Sequence, residues 1–244
     1  MSNQHLKNRF EILDGLLRGT PLKKVLLSVC AMVEQKNPTY HCCILFAEPI
    51  QKQLRGCVAP SLPPEFAQAF DPLPIATGGS CCGKAAALKE PVLAGNLQQL
   101  PELECFRPIL KSSGMASWWS FPVLIPDGTL LGIFSVLRAS EGLPDEEDLC
   151  RMEEGVDLTR LALERQERLE TILMLDKSYF STRTSICFCD ARQPDLPIYR
   201  ANGALCELLG TDPNGRPLSD FFPDRSGFYP LSRDCGWGIK TLGR

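Results

Sequence analysis

The sequence predicts an α+β fold: an antiparallel sheet flanked by helices, followed by a long C-terminal connector helix. Three observations carry that prediction. Apolar residues recur at helical spacing at the start of the chain and again over residues 144–180, whereas the stretches between hold short runs rich in β-branched and aromatic residues. Two of these runs flank Pro126-Asp127-Gly128, a strong hairpin turn. The resulting order is helices, two strands, a helix-rich crossing, a strand, a helix, a hairpin and a long helix.

Over residues 6–35, Phe10, Leu13, Leu16 and Leu17 are followed by Leu22, Val25, Leu26, Val29, Met32 and Val33, with a break at "RGTP". Two helices are expected, the second opened by Thr20 as N-cap and Pro21 at the first helical position, where a missing N–H removes no helical bond. "YHCCILFAE" and "QLRGCVAPSL" read as strands joined by a hairpin-length connection. A short proline-led helix, "PPEFAQAF", precedes "TGGSCCGKAAALKEPVL", a glycine turn entering a short helix, and "EPVLAGNL" is a short buried strand. "PELECFRPILKSSG" fits a helix ending near Gly114, and "MASWWSFPVLI" and "TLLGIFSVLR" form the hairpin.

The long helix begins near Pro144, where Asp145, Glu146, Glu147 and Asp148 complement the helix dipole. Leu149, Met152, Val156, Leu163, Leu169 and Leu173 then recur along it, over about 35 residues or roughly 50 Å. Its second half, "LERQERLETILMLDK", is too charged for full burial and too regular for a loop, which suits a parallel coiled-coil connector. A second unit follows, strand, turn, short strand and small helices, and after Asp224 no period is evident.

Composition narrows the functional classes. The 244 residues carry a net charge of −3 without a basic block, so nucleic acid is not an expected partner. The start lacks an apolar signal core and no apolar run approaches the roughly 20 residues that span a bilayer, so no membrane partner is expected and the location expected is cytoplasmic. The 12 cysteines sit mostly inside apolar runs such as "CCILF", as reduced small hydrophobes rather than a disulfide scaffold.

"GGSCCGK" approaches the phosphate-loop spacing G-x-x-x-x-G-K-[ST], but Ala85 replaces the metal-binding hydroxyl and the prolines Pro72 and Pro74 argue against a delivering strand. A nucleotide-binding loop is therefore not expected. A different resemblance covers residues 15–165. Ser80 to Ala86, Pro91-Val92, Trp119 to Pro122, Asp127-Gly128 and Leu131-Gly132 together resemble the bacterial GAF domain subgroup found upstream of PAS, histidine-kinase, GGDEF or EAL modules. "DARQPDLPIYRANGALCELLG", with Asn202, resembles the opening of a PAS domain, and that likeness stops near Phe222. The expected organisation is a sensory domain over residues 1–165, an exit helix over 144–180 and an incomplete PAS-like segment over 181–244.

The GAF resemblance implies a small-molecule ligand held between the sheet and its covering loops. By position the pocket is expected from Phe46, Ser80, Cys81, Cys82, Trp118 and Trp119. Packing alone competes for each: period-2 alternation makes Trp119 and Phe121 core-facing and turns Trp118 and Ser120 outward. No cofactor is specified. A bilin site lacks the cysteine-histidine pair, the cyclic-nucleotide signature is not visible, and the flavin-reactive PAS cysteine motif is not met. His41, Cys42 and Cys43 make a weak metal or haem candidate, because adjacent cysteines on a strand point to opposite faces.

The expected function is a non-enzymatic sensory module that dimerises through its exit helix, from a cyclic-di-GMP or histidine-kinase type of protein. Two alternatives stand beside it. One is a thiol enzyme like the GAF-fold free methionine-(R)-sulfoxide reductases, with Cys81 or Cys82 activated at a helix N-terminus. The other is a ligand-free dimerisation scaffold.

Overall fold

A computed structural model of the chain describes residues 3–35 and 37–222. The irregular tail expected after Asp224 lies outside the described residues. The chain divides into two compact units, Met1–Glu167 and Arg168–Arg244.

In the first unit, α1 (Asn3–Leu17) and α2 (Leu22–Glu34) precede a six-stranded antiparallel sheet. Its strands are β1 (Tyr40–Glu48), β2 (Gln53–Val58), β3 (Leu73–Pro74), β4 (Val92–Ala94), β5 (Ser117–Leu124) and β6 (Leu130–Arg138), in spatial order β3-β2-β1-β6-β5-β4. Between them lie α3 (Pro64–Ala69), α4 (Cys81–Leu88) and α5 (Arg107–Ser112), and α6 (Glu146–Ser181) follows. The α+β fold with a long C-terminal helix is as the sequence patterning predicts.

Local chemistry places several boundaries differently. Pro21 itself, in an extended conformation, occupies the cap position of α2 and no side chain caps it, so Thr20 does not act as the N-cap. Pro101–Phe106 winds as a 3₁₀ helix before α5, breaking what the periodicity joins into one helix, because Pro108 cannot donate to the preceding turn. Helix α6 starts after Pro144 with a reciprocal cap. The Asp148 N–H donates to Asp145 Oδ1 at 2.8 Å and the Asp145 N–H to Asp148 Oδ2 at 3.3 Å.

The sheet is buried on both faces, so the alternation on β5 holds but neither of its faces is exposed. One face carries Trp119, Phe121 and Val123 against α1, α2 and the first half of α6, including Met152, Leu158 and Leu163. The other carries Trp118, Cys43, Leu45 and Ile133 under α3, α4 and the segments around Leu97, Leu103 and Leu110. Trp118 and Ser120, expected to turn outward, are both fully buried because α3 and α4 roof their side. Gly155 lets α6 lie close to the sheet: a Cβ there would sit 2.8 Å from the Phe134 ring.

In the second unit β7 (Cys187–Cys189) pairs antiparallel with β8 (Ile198–Ala201), and α7 (Gly203–Leu209) follows. Asn202 ties them together. Its Oδ1 accepts from the N–H groups of Leu205 at 3.1 Å and Ile186 at 3.0 Å, and its Nδ2 donates to Thr184 O at 2.8 Å.

Candidate functional site

The glycine-rich stretch builds one wall of the site. Ser80 is the N-cap of α4, its Oγ accepting the Gly83 N–H at 3.0 Å. A Cβ on Gly83 would lie 2.4 Å from the Pro74 carbonyl oxygen, so this glycine permits close packing of helix on strand rather than phosphate approach. That contact turns Cys81 and Cys82 into the core beneath α4.

Opposite them, β5 and β6 supply a hydroxyl pair. Register places Ser120 across from Ser135, with their Oγ atoms 2.9 Å apart, and Cys82 Sγ lies 3.2 Å from Ser135 Oγ and 3.6 Å from Ser120 Oγ. Trp118, on the same face, meets Phe70 edge-on at 5.1 Å, and Phe70 stacks on Phe106 at 4.7 Å. The Trp118 indole N–H is buried and finds no well-formed hydrogen bond among the described residues, its acceptor neighbour being the Cys82 sulfur, whose pKa it helps to pull down against burial. A buried donor left wholly unpaired costs on the order of 1–3 kcal/mol, and an oxygen or nitrogen acceptor would recover what the weak sulfur acceptor leaves.

These surroundings decide what the thiols can do. Burial pushes Cys82 up to about 11, although the Ser135 and Ser120 hydroxyls pull the other way. Burial pushes Cys81 up to about 12. The helix N-terminus was expected to favour thiolates, but desolvation outweighs it, and both cysteines are protonated small hydrophobes at neutral pH.

The other face of the same strand is wired to α6. The Trp119 indole N–H donates to Gly142 O at 3.1 Å, in the segment leading into that helix. Trp119 meets Tyr40 edge-on at 6.0 Å, and the Arg138 guanidinium lies over both rings, 4.9 Å from Trp119 and 5.4 Å from Tyr40. Tyr40 donates its hydroxyl to Asp148 Oδ1 at the start of α6. Burial, reinforced by that carboxylate, holds the phenol up at about 12.

The sequence model of the GAF domain matches residues 19–164, well over half of the chain. The chain belongs to the GAF domain family. A curated relative, the methyl sulfide methyltransferase-associated sensor of Methanosarcina acetivorans, is 25% identical over 194 residues, covering 75% of this chain and 19% of its own length. This chain therefore spans about a fifth of that sensor. Among solved structures, the GAF domain of an Acinetobacter phosphoenolpyruvate-protein phosphotransferase superposes with a TM-score of 0.53 at 15% identity, covering 70% of this chain and 99% of that one. The free methionine-R-sulfoxide reductase of Neisseria meningitidis, solved with its substrate, gives 0.54 at 17% identity over 69% of this chain and 95% of its own. At such identities these two likenesses concern the fold.

On this GAF scaffold the candidate residues separate into two groups. Ser80, Cys81, Cys82 and Trp118 converge under α4, whereas Phe46 and Trp119 belong to the helix-backed face. Ser120, Ser135, Phe70 and Phe106 join the first group without having been singled out. Ser120 was legible as the same-face neighbour two residues from Trp118; Ser135 required the register of the hairpin. His41, weighed as a metal ligand, instead sits 3.0 Å from Ser61 Oγ, and Cys42 and Cys43 face different cores. Among the described residues no group of three or more histidine, cysteine or acidic side chains is placed to hold a metal ion.

Proposed function

We propose that the chain is the sensory module of a signalling protein, binding a small molecule between the sheet and residues 78–89 and answering through α6. The observation that carries this reading is the division of labour between Trp118 and Trp119. Adjacent on β5, one buries its indole N–H under α4 with only the weak acceptor sulfur of Cys82 beside it, while the other bonds the segment entering α6. A ligand with a hydrogen-bond acceptor and a flat apolar body would satisfy Trp118 and require the Phe70–Phe106 stack to open. Any shift of β5 is then felt at Trp119, Gly142 and Asp148. The effect is a population shift, bounded by the ligand's differential affinity for the two packings.

The Methanosarcina relative, named as a sensor, agrees with this reading. The remaining expectations are part of the proposal: residues 181–222 are the opening of a PAS-like segment, the whole protein is of cyclic-di-GMP or histidine-kinase type, the module is cytoplasmic and non-enzymatic, and it pairs through α6. Among the described residues no helix is long and apolar enough to cross a membrane. The reductase alternative draws no support from Cys81 and Cys82, whose thiols are held protonated.

The test is native mass spectrometry of the purified chain, followed by denaturation. A co-purifying small molecule, released on unfolding and lost in Trp118→Phe but retained in Trp119→Phe, supports the site. A chain that carries no small molecule, and whose tryptophan indole NMR signals do not move across a library of aromatic and heterocyclic metabolites, would leave only the scaffold.

A further inference from the structure

Two cysteines outside the group under α4 form a close pair on the six-stranded sheet. Cys43 of β1 and Cys57 of β2 bring their sulfurs to 3.5 Å, across neighbouring strands rather than along one. A bulge lies beside the pair. Ile44 pairs with Val58 but Phe46 with Arg55, so β2 carries one extra residue between the two pairs. Gly56 takes that position with φ of +66°, and the Phe46 ring occupies the space a side chain would need, 2.5 Å from an added Cβ. Because Ile44 pairs with Val58, Cys43 and Cys57 are diagonal neighbours on the opposite face, the one that holds Cys82 and Trp118, with the bulge directly beside them.

The pair is asymmetric in a useful sense. Cys43 is buried while Cys57 is partly exposed, so of the two it is Cys57 that borders solvent. The hydrogen bond between them favours the Cys57 thiolate and lowers its pKa, whereas that contact and burial hold the Cys43 thiol protonated. The close buried pairing on the opposite face, Cys30 with Cys42, offers no exposed member.

We propose that Cys43 and Cys57 form a modification site for hydroperoxides that closes to a disulfide between β1 and β2. The Cys57 thiolate attacks the distal peroxide oxygen; the O–O bond breaks, leaving a sulfenic acid on Cys57 and releasing the alcohol, which keeps one thiol proton. Cys43 sulfur then attacks Cys57 sulfur, the S–O bond breaks, and hydroxide leaves with the Cys43 proton as water. Two thiols and one hydroperoxide give one disulfide, one alcohol and one water, the sulfurs losing two electrons and the peroxide gaining them. The bond pins the bulge and with it the edge of the face that holds Trp118. The site stands independently of any ligand bound there.

The experiment uses the whole chain, reduced and then exposed to one equivalent of tert-butyl hydroperoxide, with free thiols alkylated before tryptic digestion and tandem mass spectrometry. The expected product links the peptide of residues 37–52 to that of residues 56–84, with fragment ions placing the bond at Cys43 and Cys57 rather than at Cys42, Cys81 or Cys82. Cys57→Ser, at a partly exposed position that tolerates the change, loses the link, and Cys42→Ser keeps it. Both thiols still alkylated, Cys57 oxidised past the sulfenic acid with Cys43 free, or a bond to Cys81 or Cys82 overturns the proposal.

Discussion

Tyr40 and Asp148 lie 108 residues apart and meet through a single buried hydroxyl, which makes the pair the most local handle on how the sheet holds α6. Tyr40→Phe keeps the ring against Trp119 and removes only that donor, leaving Asp148 Oδ1 to the more distant Arg151 guanidinium at 3.3 Å while Oδ2 keeps the Asp145 N–H. Losing a hydrogen bond to a charged group costs about 1.5–3 kcal/mol, and urea denaturation of the variant should read a loss in that range. The thiols under α4 yield a second residue-scale expectation. Unfolded, Cys81 and Cys82 release their protons near 9.0; folded, they hold them to about 12 and about 11. Above 9.0 the folded chain therefore binds more protons than the unfolded one, so the stability is complete below that pH and falls as pH rises through the folded values. Cys82 alone contributes a loss of about 3 kcal/mol once its folded pKa is passed. Denaturation midpoints followed from neutral to alkaline pH should decline above 9.0, and more gently in Cys82→Ala; a midpoint that does not respond would contradict the burial of both thiols.

Elements were legible where a period or a turn residue announced them. The hairpin around Asp127-Gly128, the proline-led α3 and the acidic start of α6 follow from patterns within a few residues. What the sequence could not convey is which face of a strand is roofed, since that is decided by elements far along the chain. Trp118 and Trp119 illustrate it: alternation assigns them correctly to opposite faces but cannot reveal that both faces are dry, nor that Phe46 and Trp119 sit away from α4. The bulge between β1 and β2 was equally silent, because register shows only when the paired strands are seen together. Gly155 tests the packing of an element as a whole. Alanine there should gain nearly 1 kcal/mol of helix propensity, yet its Cβ would press on the Phe134 ring, and overpacking of this kind costs about 1–3 kcal/mol. Gly155→Ala should therefore lower the melting temperature, while Gly203→Ala, with nothing within 4 Å of the added Cβ, should not. Equal effects at the two positions would deny the close approach of α6.

At the scale of the whole molecule the second half of α6 raises the question of what covers it. Ile172 and Leu173 are 62% and 59% exposed, and they share a stripe with Leu169, flanked by the charged run that begins at Glu164. Exposed aliphatic residues at this spacing are destabilising in water unless a second helix packs on them, and mixed charges on the flanks suit a parallel copy of the same helix. If two chains pair here, Ile172→Glu with Leu173→Glu replaces four interfacial aliphatic side chains per dimer. At about 1.5 kcal/mol or more for each, dissociation should strengthen by at least roughly ten-thousandfold. Sedimentation across a wide concentration range should then show dimer for the native chain and monomer for the double variant. The core around Trp118 and Trp119 belongs to the first unit, so the indole NMR signals of these two tryptophans should be the same in both. That control separates a lost interface from a lost fold. A native chain that is monomeric throughout, or a variant that dimerises undiminished, would remove α6 as the pairing element and with it the simplest route by which a ligand at one end of β5 could be reported to a partner.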